Sequence, residues 1–169
     1  CEGALKIENL KEYCKKNKIQ SVGLSDTYNL SGALEFSENI SSAGTQPIIG
    51  SQVQFKFKNT YGLIPLIAKN YVGYKNLIEL SSKAYLENTE SDLPHCSIHD
   101  LIKHSEGIIV LSGAINNLIG NIFNKGLFDE LDELILILNN NFKENLYLEI
   151  QRHGDNNEKE FEIFNLNLS

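Results

Sequence analysis

The sequence predicts an α/β protein built as one domain. Three observations support this class: short apolar segments alternate with amphipathic segments, 41% of the 169 residues are hydrophobic, and no repeat or low-complexity tract interrupts them. Strands and helices that alternate at this spacing favour a largely parallel sheet or barrel.

The first part of the chain is predicted to form two helices around one strand. Apolar residues at helical spacing predict a helix over about 4–17. A strand over 19–24 follows, and then a helix over about 31–43, with Ser31 as its N-cap and Gly44 at its end. Three apolar residues of this second helix are expected to face inward: Leu34, Ile40 and Ala43.

Strands are predicted next, over 47–50, 53–57 and 63–68. In the second of them, Gln54 and Lys56 alternate with apolar residues, which is typical of a strand with one face in water. The third strand contains Pro65.

The second half of the chain continues the alternation. A helix over about 72–85 carries the apolar residues Leu77, Ile78 and Leu80. A polar loop is predicted over 87–94, and Ser97 is the expected N-cap of a short helix. The remaining predicted elements are a strand over 108–111, a helix over 127–138, a strand over 146–150 and a helix from about 157.

Composition limits the partners and the compartment. The formal net charge is −7, and Arg152 is the only arginine, so the chain offers no broad basic surface to duplex DNA. No apolar run approaches the roughly 20 residues that cross a bilayer, and we expect no membrane contact. Three cysteines without a repeating spacing favour a reduced, cytoplasmic protein. Because the chain opens with Cys1 and contains no Met, we interpret it as an interior piece of a longer protein.

Histidine and cysteine residues cluster over 95–104. His95, Cys96, His99 and His104 belong to the residue types that bind zinc, and His95 and His99 are four residues apart. Their spacing matches no closed structural zinc site, and a helix that begins after Ser97 leaves His95 off its face. We therefore interpret the histidines as solvent-exposed loop residues rather than as part of a metal centre.

A second candidate is His153, which follows the strand over 146–150 and has Glu149 behind it. Barrel enzymes place active residues just past the carboxyl ends of their strands. No acid or nucleophile is fixed nearby by spacing, so a turn residue is the simpler interpretation. The sequence contains no glycine-rich phosphate loop and no GxSxG, HExxH or CxxC motif.

Four segments together resemble one family. They are GLSDTYNLSGALEFSENISSAGTQPIIGSQV (23–53), LIAKNYVGYKNLIELSSKAY (66–85), EGIIVLSGAINN (106–117) and YLEIQRHG (147–154). Their order and spacing are similar to those of the amino-terminal PHP (polymerase and histidinol phosphatase) domain of bacterial DNA polymerase III alpha subunits. The resemblance implies an α/β fold that is part of a distorted (β/α) barrel of the PHP type. It also implies that residues 1–169 form a PHP domain incomplete at both termini, with the family's two leading histidines upstream.

The resemblance implies a degenerate metal site. In family members with an intact site, histidines and carboxylates at strand ends hold divalent metals such as zinc or manganese, which activate water for phosphoester hydrolysis. Glu2 and Asp26 match acidic positions of that site. Four positions carry a hydroxyl, an amide or an aliphatic group where the family has a metal ligand: Thr27, Gln52, Leu63 and Ala114. We therefore expect no metal and no other cofactor in this segment, and we interpret Asp26 as a relic whose side chain caps the turn into the next helix.

The function implied by the resemblance is that of the parent protein, a DNA-directed DNA polymerase (a nucleotidyltransferase) of DNA replication. The segment itself would be inactive, would support the remainder of the polymerase alpha chain and would dock the separate proofreading exonuclease subunit. DNA would be contacted by the parent polymerase and not by this segment. Two alternatives stay open: an active metal-dependent PHP phosphoesterase or 3′–5′ exonuclease that uses Glu2, Asp26 and His153, and a small-molecule phosphatase of the histidinol phosphate type.

Overall fold

The computed structural model describes residues 5–87, 93–154 and 157–168. The α-helices in these ranges are α1 (Ile7–Asn17), α2 (Ala33–Ser42), α3 (Tyr71–Leu86), α4 (Ile98–Lys103), α5 (Leu118–Asn124), α6 (Phe128–Phe142) and α7 (Glu158–Leu168). The strands are β1 (Ser21–Thr27), β2 (Gln46–Phe57), β3 (Thr60–Ala68), β4 (Cys96–Ser97), β5 (Ile108–Leu111) and β6 (Leu146–Tyr147).

The strands form one mixed sheet in the order β1-β2-β3-β5-β6, with β4 beside β2. The pairs β1/β2, β2/β4 and β5/β6 are parallel, whereas β2/β3 and β3/β5 are antiparallel. The predicted α/β class is confirmed, but the predicted largely parallel sheet is wrong. The reason is the tight turn at Lys58 and Asn59, because a turn this short can join only antiparallel strands. Within the described ranges the sheet is an open path and does not close into a barrel.

Strand β2 is a single strand of 12 residues where the sequence predicts two. The polar residues Ser51 and Gln52 suggest a break, but both lie between paired neighbours. Ser51 is opposite Asp26 in β1 and opposite Leu66 in β3. A central strand satisfies its backbone hydrogen-bonding groups on both sides, which keeps this polar stretch in the sheet.

The main core lies between one face of the sheet and helices α3 to α7. Side chains of β2 and β3 that point to this side, such as Phe55 and Leu66, are completely buried. A smaller cluster around Cys14, Phe36 and Ile40 packs α1 and α2 against β1. None of the helices in the described part of the chain is long and apolar enough to cross a membrane.

Leu34, which was expected to face inward, lies at the surface, and so does Ile78 of α3. Leu34 is 70% exposed and Ile78 is 41% exposed. Helix α2 buries Phe36 and Ile40, which are one turn apart, and Leu34 lies off the stripe that they define. Ile78 is likewise off the buried stripe of α3, to which Leu80 belongs.

Helix α5 and the end of β6 also differ from the prediction. Helix α5 carries no amphipathic signal, since Leu118, Ile119 and Ile122 are buried on several sides of a short helix. Strand β6 ends earlier than predicted because the Glu149 N–H donates to Ser112 Oγ at 2.8 Å instead of continuing the ladder.

The other predicted elements are confirmed within a few residues at their ends, including the N-cap at Ser97, which forms a capping box with Asp100. Most of the predicted loop over 87–94 lies outside the described residues.

Candidate functional site

Gln52, one of the four positions at which a lost metal ligand is predicted, lies in β2 on the sheet face that points away from the main core. Along this strand, Val53 and Phe55 belong to the core, so Gln52 and Gln54 point to the opposite side. We call this side the open face, and we define it by the side chains of Gln52 and Gln54.

Strand pairing brings three of the four positions with a predicted loss of a ligand together on the open face. Thr27, the last residue of β1, is the register partner of Gln52. Gln54, two residues further along β2, lies opposite Leu63 in β3. Register partners point to the same side of a sheet, so Thr27, Gln52 and Leu63 share the open face.

The fourth position, Ala114, lies toward the same end of the sheet but beyond the last strand pairs. Strand β5 runs antiparallel to β3, with Val110 opposite Leu66, so β5 ends opposite the middle of β3, close to Leu63. Ala114 follows β5 and lines a cavity of about 10 Å³ together with Glu149. Its methyl group offers no donor atom to a metal.

Asp26 points to the side of the sheet opposite Thr27. Its register partner is Ser51, which alternates with Gln52 along β2. The carboxylate lies beside the start of α2, where a Cβ on Gly32 would be 3.0 Å from Asp26 Oδ2. Asp26 therefore does not join Thr27 and Gln52 on the open face.

The turn after β1 is held by Asn29 and not, as predicted, by the Asp26 side chain. Asn29 Oδ1 accepts a hydrogen bond from the Ser31 N–H at 2.9 Å. Ser31 is not the N-cap of α2 either, because Gly32 takes that position without a side-chain hydrogen bond. The buried Ser51 hydroxyl lies 3.0 Å from Asp26 O and 3.1 Å from Asn29 O, which ties the turn to β2.

Tyr28 reaches across the open face, a feature that the sequence interpretation missed. Its N–H donates to Gln52 O at 2.9 Å, and its hydroxyl donates to Gln54 Oε1 at 2.7 Å. Gln54 is 7% exposed, so the prediction that this glutamine lies on a wetted face is wrong. The φ angle of Tyr28 is +66°, which is unusual for a bulky residue.

His153 is exposed and lies in the segment between β6 and α7. Its backbone N–H donates to the Glu158 carboxylate at 2.8 Å, and its ring Nε2 is 3.1 Å from Gln151 Oε1. The Gln151 side chain in turn contacts Glu149 Oε1. An exposed imidazole with an amide partner suits a turn residue better than a base held in place by an acid.

The cysteine and a histidine from the segment 95–104 have separate partners. Cys96 Sγ donates to Leu80 O at 3.3 Å, and burial raises the pKa of this thiol to about 12. His104 lies between Asp100 O, 2.8 Å from its Nδ1, and Glu79 Oε2, 3.1 Å from its Nε2. A neutral thiol in the core is a poor metal ligand, and so these side chains do not form a common site.

The donors on the open face do not fit a divalent metal. Zinc and manganese sites in proteins are built mainly from imidazole, thiolate or carboxylate groups, whereas Thr27, Gln52 and Leu63 offer a hydroxyl, one amide oxygen and an alkyl chain. Within the ranges that the structure describes, no group of three or more His, Cys, Asp or Glu residues lies where it could hold a metal ion. Glu2, the other acidic position of the predicted site, lies outside those ranges.

The fold is similar to that of a solved structure from Bifidobacterium adolescentis, described as a candidate metal-dependent phosphoesterase. The TM-score is 0.57, and the match covers 99% of this chain and 79% of that chain at 13% sequence identity. An identity this low shows a common α/β fold and carries no statement about activity.

The family model of the PHP domain matches residues 1–153. Since this is most of the sequence, the chain belongs to the PHP domain family, and the resemblance seen in the four sequence segments is confirmed.

The chain is also similar to DNA polymerase III alpha subunits. It is 35% identical to the subunit of Caulobacter vibrioides over 162 residues, 38% identical to that of Borreliella burgdorferi over 165 residues, and 34% identical to that of Pasteurella multocida over 170 residues. These matches cover 90%, 90% and 99% of this chain, but only 14%, 14% and 15% of the relatives. The chain therefore spans a small part of the length of the relatives that it matches.

Proposed function

We propose that this chain is the amino-terminal PHP domain of a DNA polymerase III alpha subunit, and that its parent protein is a DNA-directed DNA polymerase of DNA replication. The observation that carries the proposal is the 35% identity to an alpha subunit across 90% of the chain. In this role the domain would span residues 1–169, be incomplete at both termini and work in the cytoplasm. The remainder of the alpha chain would contact the DNA.

We infer that the domain performs no hydrolysis of its own. The side chains on the open face support this inference, because Thr27, Gln52 and Leu63 cannot replace the imidazole and carboxylate ligands of a metal cluster. Ala114 supports it in the same way. The domain would then contribute through stability and through contacts with other parts of the replication machinery.

The test of this inference uses the complete polymerase subunit that contains the domain, purified in the presence of manganese and zinc. Metal content is measured by mass spectrometry, and hydrolysis is measured with p-nitrophenyl phosphate and with single-stranded DNA. We expect no stoichiometric metal in the PHP domain and no hydrolysis that depends on Asp26 or His153. The substitution His99→Ala, at an exposed histidine, serves as the matched control for His153→Ala.

The opposite result would support the alternative function. Stoichiometric metal, together with hydrolysis that disappears in Asp26→Ala or His153→Ala, is expected of an active PHP phosphoesterase or 3′–5′ exonuclease. A small-molecule phosphatase of the histidinol phosphate type has less support, because the relatives described above are polymerase subunits.

A groove between α2 and α3 supports a docking role. The groove has a volume of about 470 Å³ and is lined by residues that include Leu34, Ile48, Tyr71 and Tyr74. Leu34 is 70% exposed and Tyr71 is 73% exposed, and both line the same groove, so they belong to one surface rather than being scattered exposed side chains. Tyrosine and a concave apolar surface are typical of protein interfaces, so we propose that a segment of the proofreading exonuclease subunit binds here.

Binding of the exonuclease subunit tests the docking proposal. We expect the pair Leu34→Ala and Tyr71→Ala to weaken the Kd by about tenfold or more, which corresponds to about 1.4 kcal/mol. The matched control is Tyr85→Ala with Leu86→Ala, two exposed residues at the far end of α3. Equal affinity in both double variants would place the interface elsewhere.

A further inference from the structure

Tyr28 extends from the end of β1 across the open face to β2. Its hydroxyl is 2.7 Å from Gln54 Oε1, and Gln54 is the register partner of Leu63. Its N–H is bonded to the O atom of Gln52, which is the register partner of Thr27. The phenol ring therefore lies over the small area that the three substituted positions of the open face border.

The backbone of Tyr28 is held in a conformation that is unfavourable for this residue. A φ of +66° lies in the left-handed region, where glycine is favoured and a bulky side chain is strained. Such residues persist where several contacts fix them. Here the contacts include the two hydrogen bonds of Tyr28 to β2, while Ser51 fixes the neighbouring Asp26 O at 3.0 Å.

Gln54 explains why the residue at position 28 is a tyrosine. With 7% of its surface exposed, Gln54 has little access to water, and a buried amide oxygen without a donor is unfavourable. A phenylalanine at position 28 would cover the same area but would remove the hydroxyl that donates to Gln54. Tyrosine combines the apolar cover and the donor in one side chain.

We propose that Tyr28 is a plug of the degenerate site. Its ring occupies the space in which a metal held from positions 27, 52 and 63 would lie, and its hydrogen bonds tie β1 to β2 without a metal. The proposal rests on the proposed loss of the metal site and adds that the loss is enforced sterically. Restoring the ligands alone therefore restores weak metal binding at most.

The first experiment restores three donors in the complete polymerase subunit with the substitutions Thr27→His, Gln52→Glu and Leu63→His. Two imidazoles and one carboxylate form a donor set that binds zinc or manganese. The set is prepared once with Tyr28 retained and once with Tyr28→Gly, which accepts a positive φ. Zinc alone is the probe, followed by calorimetric titration and by metal content after gel filtration, with the unmodified subunit as the baseline and circular dichroism as the test of folding.

We expect the three-donor variant with Tyr28→Gly to bind zinc with a Kd at least about tenfold lower than the three-donor variant that retains Tyr28. Equal zinc binding with and without Tyr28, whether tight or absent, overturns the plug. This outcome is separate from the proposed function, which is tested by metal content and hydrolysis in the unmodified subunit.

The second experiment tests the tie to β2 without any metal. Tyr28→Phe removes only the hydroxyl, and Tyr85→Phe is the matched control because Tyr85 is 54% exposed on α3. We expect Tyr28→Phe to lower the Tm by about 2–4 °C. The same substitution should lower the Tm less in a Gln54→Leu background, where the hydroxyl has no amide partner. Tyr85→Phe should leave the Tm unchanged. A Tyr28→Phe variant with the same Tm as the unmodified protein would show that the hydrogen bond from Tyr28 to Gln54 does not stabilise the fold.

Discussion

The Cys96 thiol shows how its surroundings decide the chemistry of a single residue. It is buried in the main core, and its sulfur donates to Leu80 O at 3.3 Å. Burial raises its pKa to about 12, and the neighbouring Asp100 carboxylate acts in the same direction. At neutral pH the thiol is therefore fully protonated, the form in which cysteine is a poor nucleophile and a poor ligand.

We expect Cys96 to resist iodoacetamide in the folded protein at about pH 8.5 and to react once guanidinium unfolds the chain. Peptide mapping by mass spectrometry measures the modified fraction under both conditions. Rapid native-state labelling at Cys96 would contradict the burial described here.

The same thiol predicts a pH dependence of stability. The folded-state pKa of about 12 lies above the ordinary value of 9.0, so the contribution of Cys96 is complete below about pH 9 and is lost as the pH rises toward 12. A Cys96→Ala variant should therefore lose less stability than the unmodified protein over this alkaline range. Urea unfolding at several pH values checks this, and parallel curves for the two proteins would speak against it.

At the scale of elements, helix α4 is short, and its N-terminus is fixed by a capping box. Ser97 Oγ accepts from the Asp100 N–H at 3.2 Å, and the Ser97 N–H donates to Asp100 Oδ2 at 2.9 Å. Lys83 Nζ lies 3.0 Å from Asp100 Oδ1 and links α4 to α3. Burial opposes ionisation of Asp100, but the hydrogen bonds from Ser97 and Lys83 outweigh it and hold the pKa of the carboxyl below its ordinary value.

We expect Asp100→Asn to reduce the free energy of unfolding by about 1 kcal/mol at neutral pH, because a neutral amide weakens the charge-assisted hydrogen bonds to Ser97 and Lys83. Since the folded-state pKa is lowered, this contribution is present above the unfolded value of 3.8 and is lost as the pH falls through the folded value. Urea unfolding at about pH 7 and about pH 3 measures the difference. The control is Asp132→Asn on the exposed side of α6, and a loss at Asp100 that persists unchanged in acid would exclude the ionic part of the explanation.

Gly73 determines how closely the start of α3 approaches the segment before β5. A Cβ at this position would lie 1.9 Å from Gly107 O, which also accepts a hydrogen bond from the Lys69 N–H at 2.8 Å. We expect Gly73→Ala to destabilise the protein by about 1–3 kcal/mol, because backbone must move to accept the methyl group. Gly23→Ala is the matched control, since a Cβ there meets its nearest atom at 3.8 Å. Thermal unfolding compares the two, and equal Tm values would contradict the close approach.

Elements with a clear period could be predicted from the sequence, whereas strand direction and the site could not. Helices α3 and α6 carry buried apolar residues three or four positions apart, which is the helical period. Helix α5 is apolar on several sides and carries no such signal. Apolar patterns do not encode strand direction, and only the short turn at Lys58 and Asn59 indicates the antiparallel hairpin. The family positions 27, 52 and 63 do share one face, but Tyr28 and the burial of Gln54 depend on how the turn after β1 folds back.

At the scale of the whole molecule, two apolar clusters of unequal size hold the fold. The main core joins β2, β3 and β5 to the helices that follow them. The smaller cluster, around Cys14, Phe36 and Ile40, holds α1 and α2 to β1. The two are connected through the β1/β2 ladder and the Ser51 hydroxyl. Cooperative units often follow such divisions, so we expect the part built from α1, β1 and α2 to open at a lower free energy than the main core.

Hydrogen exchange with matched core truncations tests this division. Phe36 is 1% exposed in the small cluster, and Leu134 is completely buried in the main core. We expect Phe36→Ala to lower the free energy of opening by about 3–5 kcal/mol, with the loss of protection confined to α1, β1 and α2. Leu134→Ala should cost about 2–5 kcal/mol and reduce protection throughout the described helices and strands, because global unfolding exposes every element. Native-state exchange followed by mass spectrometry resolves the elements, and a Phe36→Ala variant that loses protection equally in α6 would mean that the chain opens as a single unit. Such coupling would also mean that the hydrogen bonds of Tyr28 to β2 transmit a disturbance of β1 to the main core.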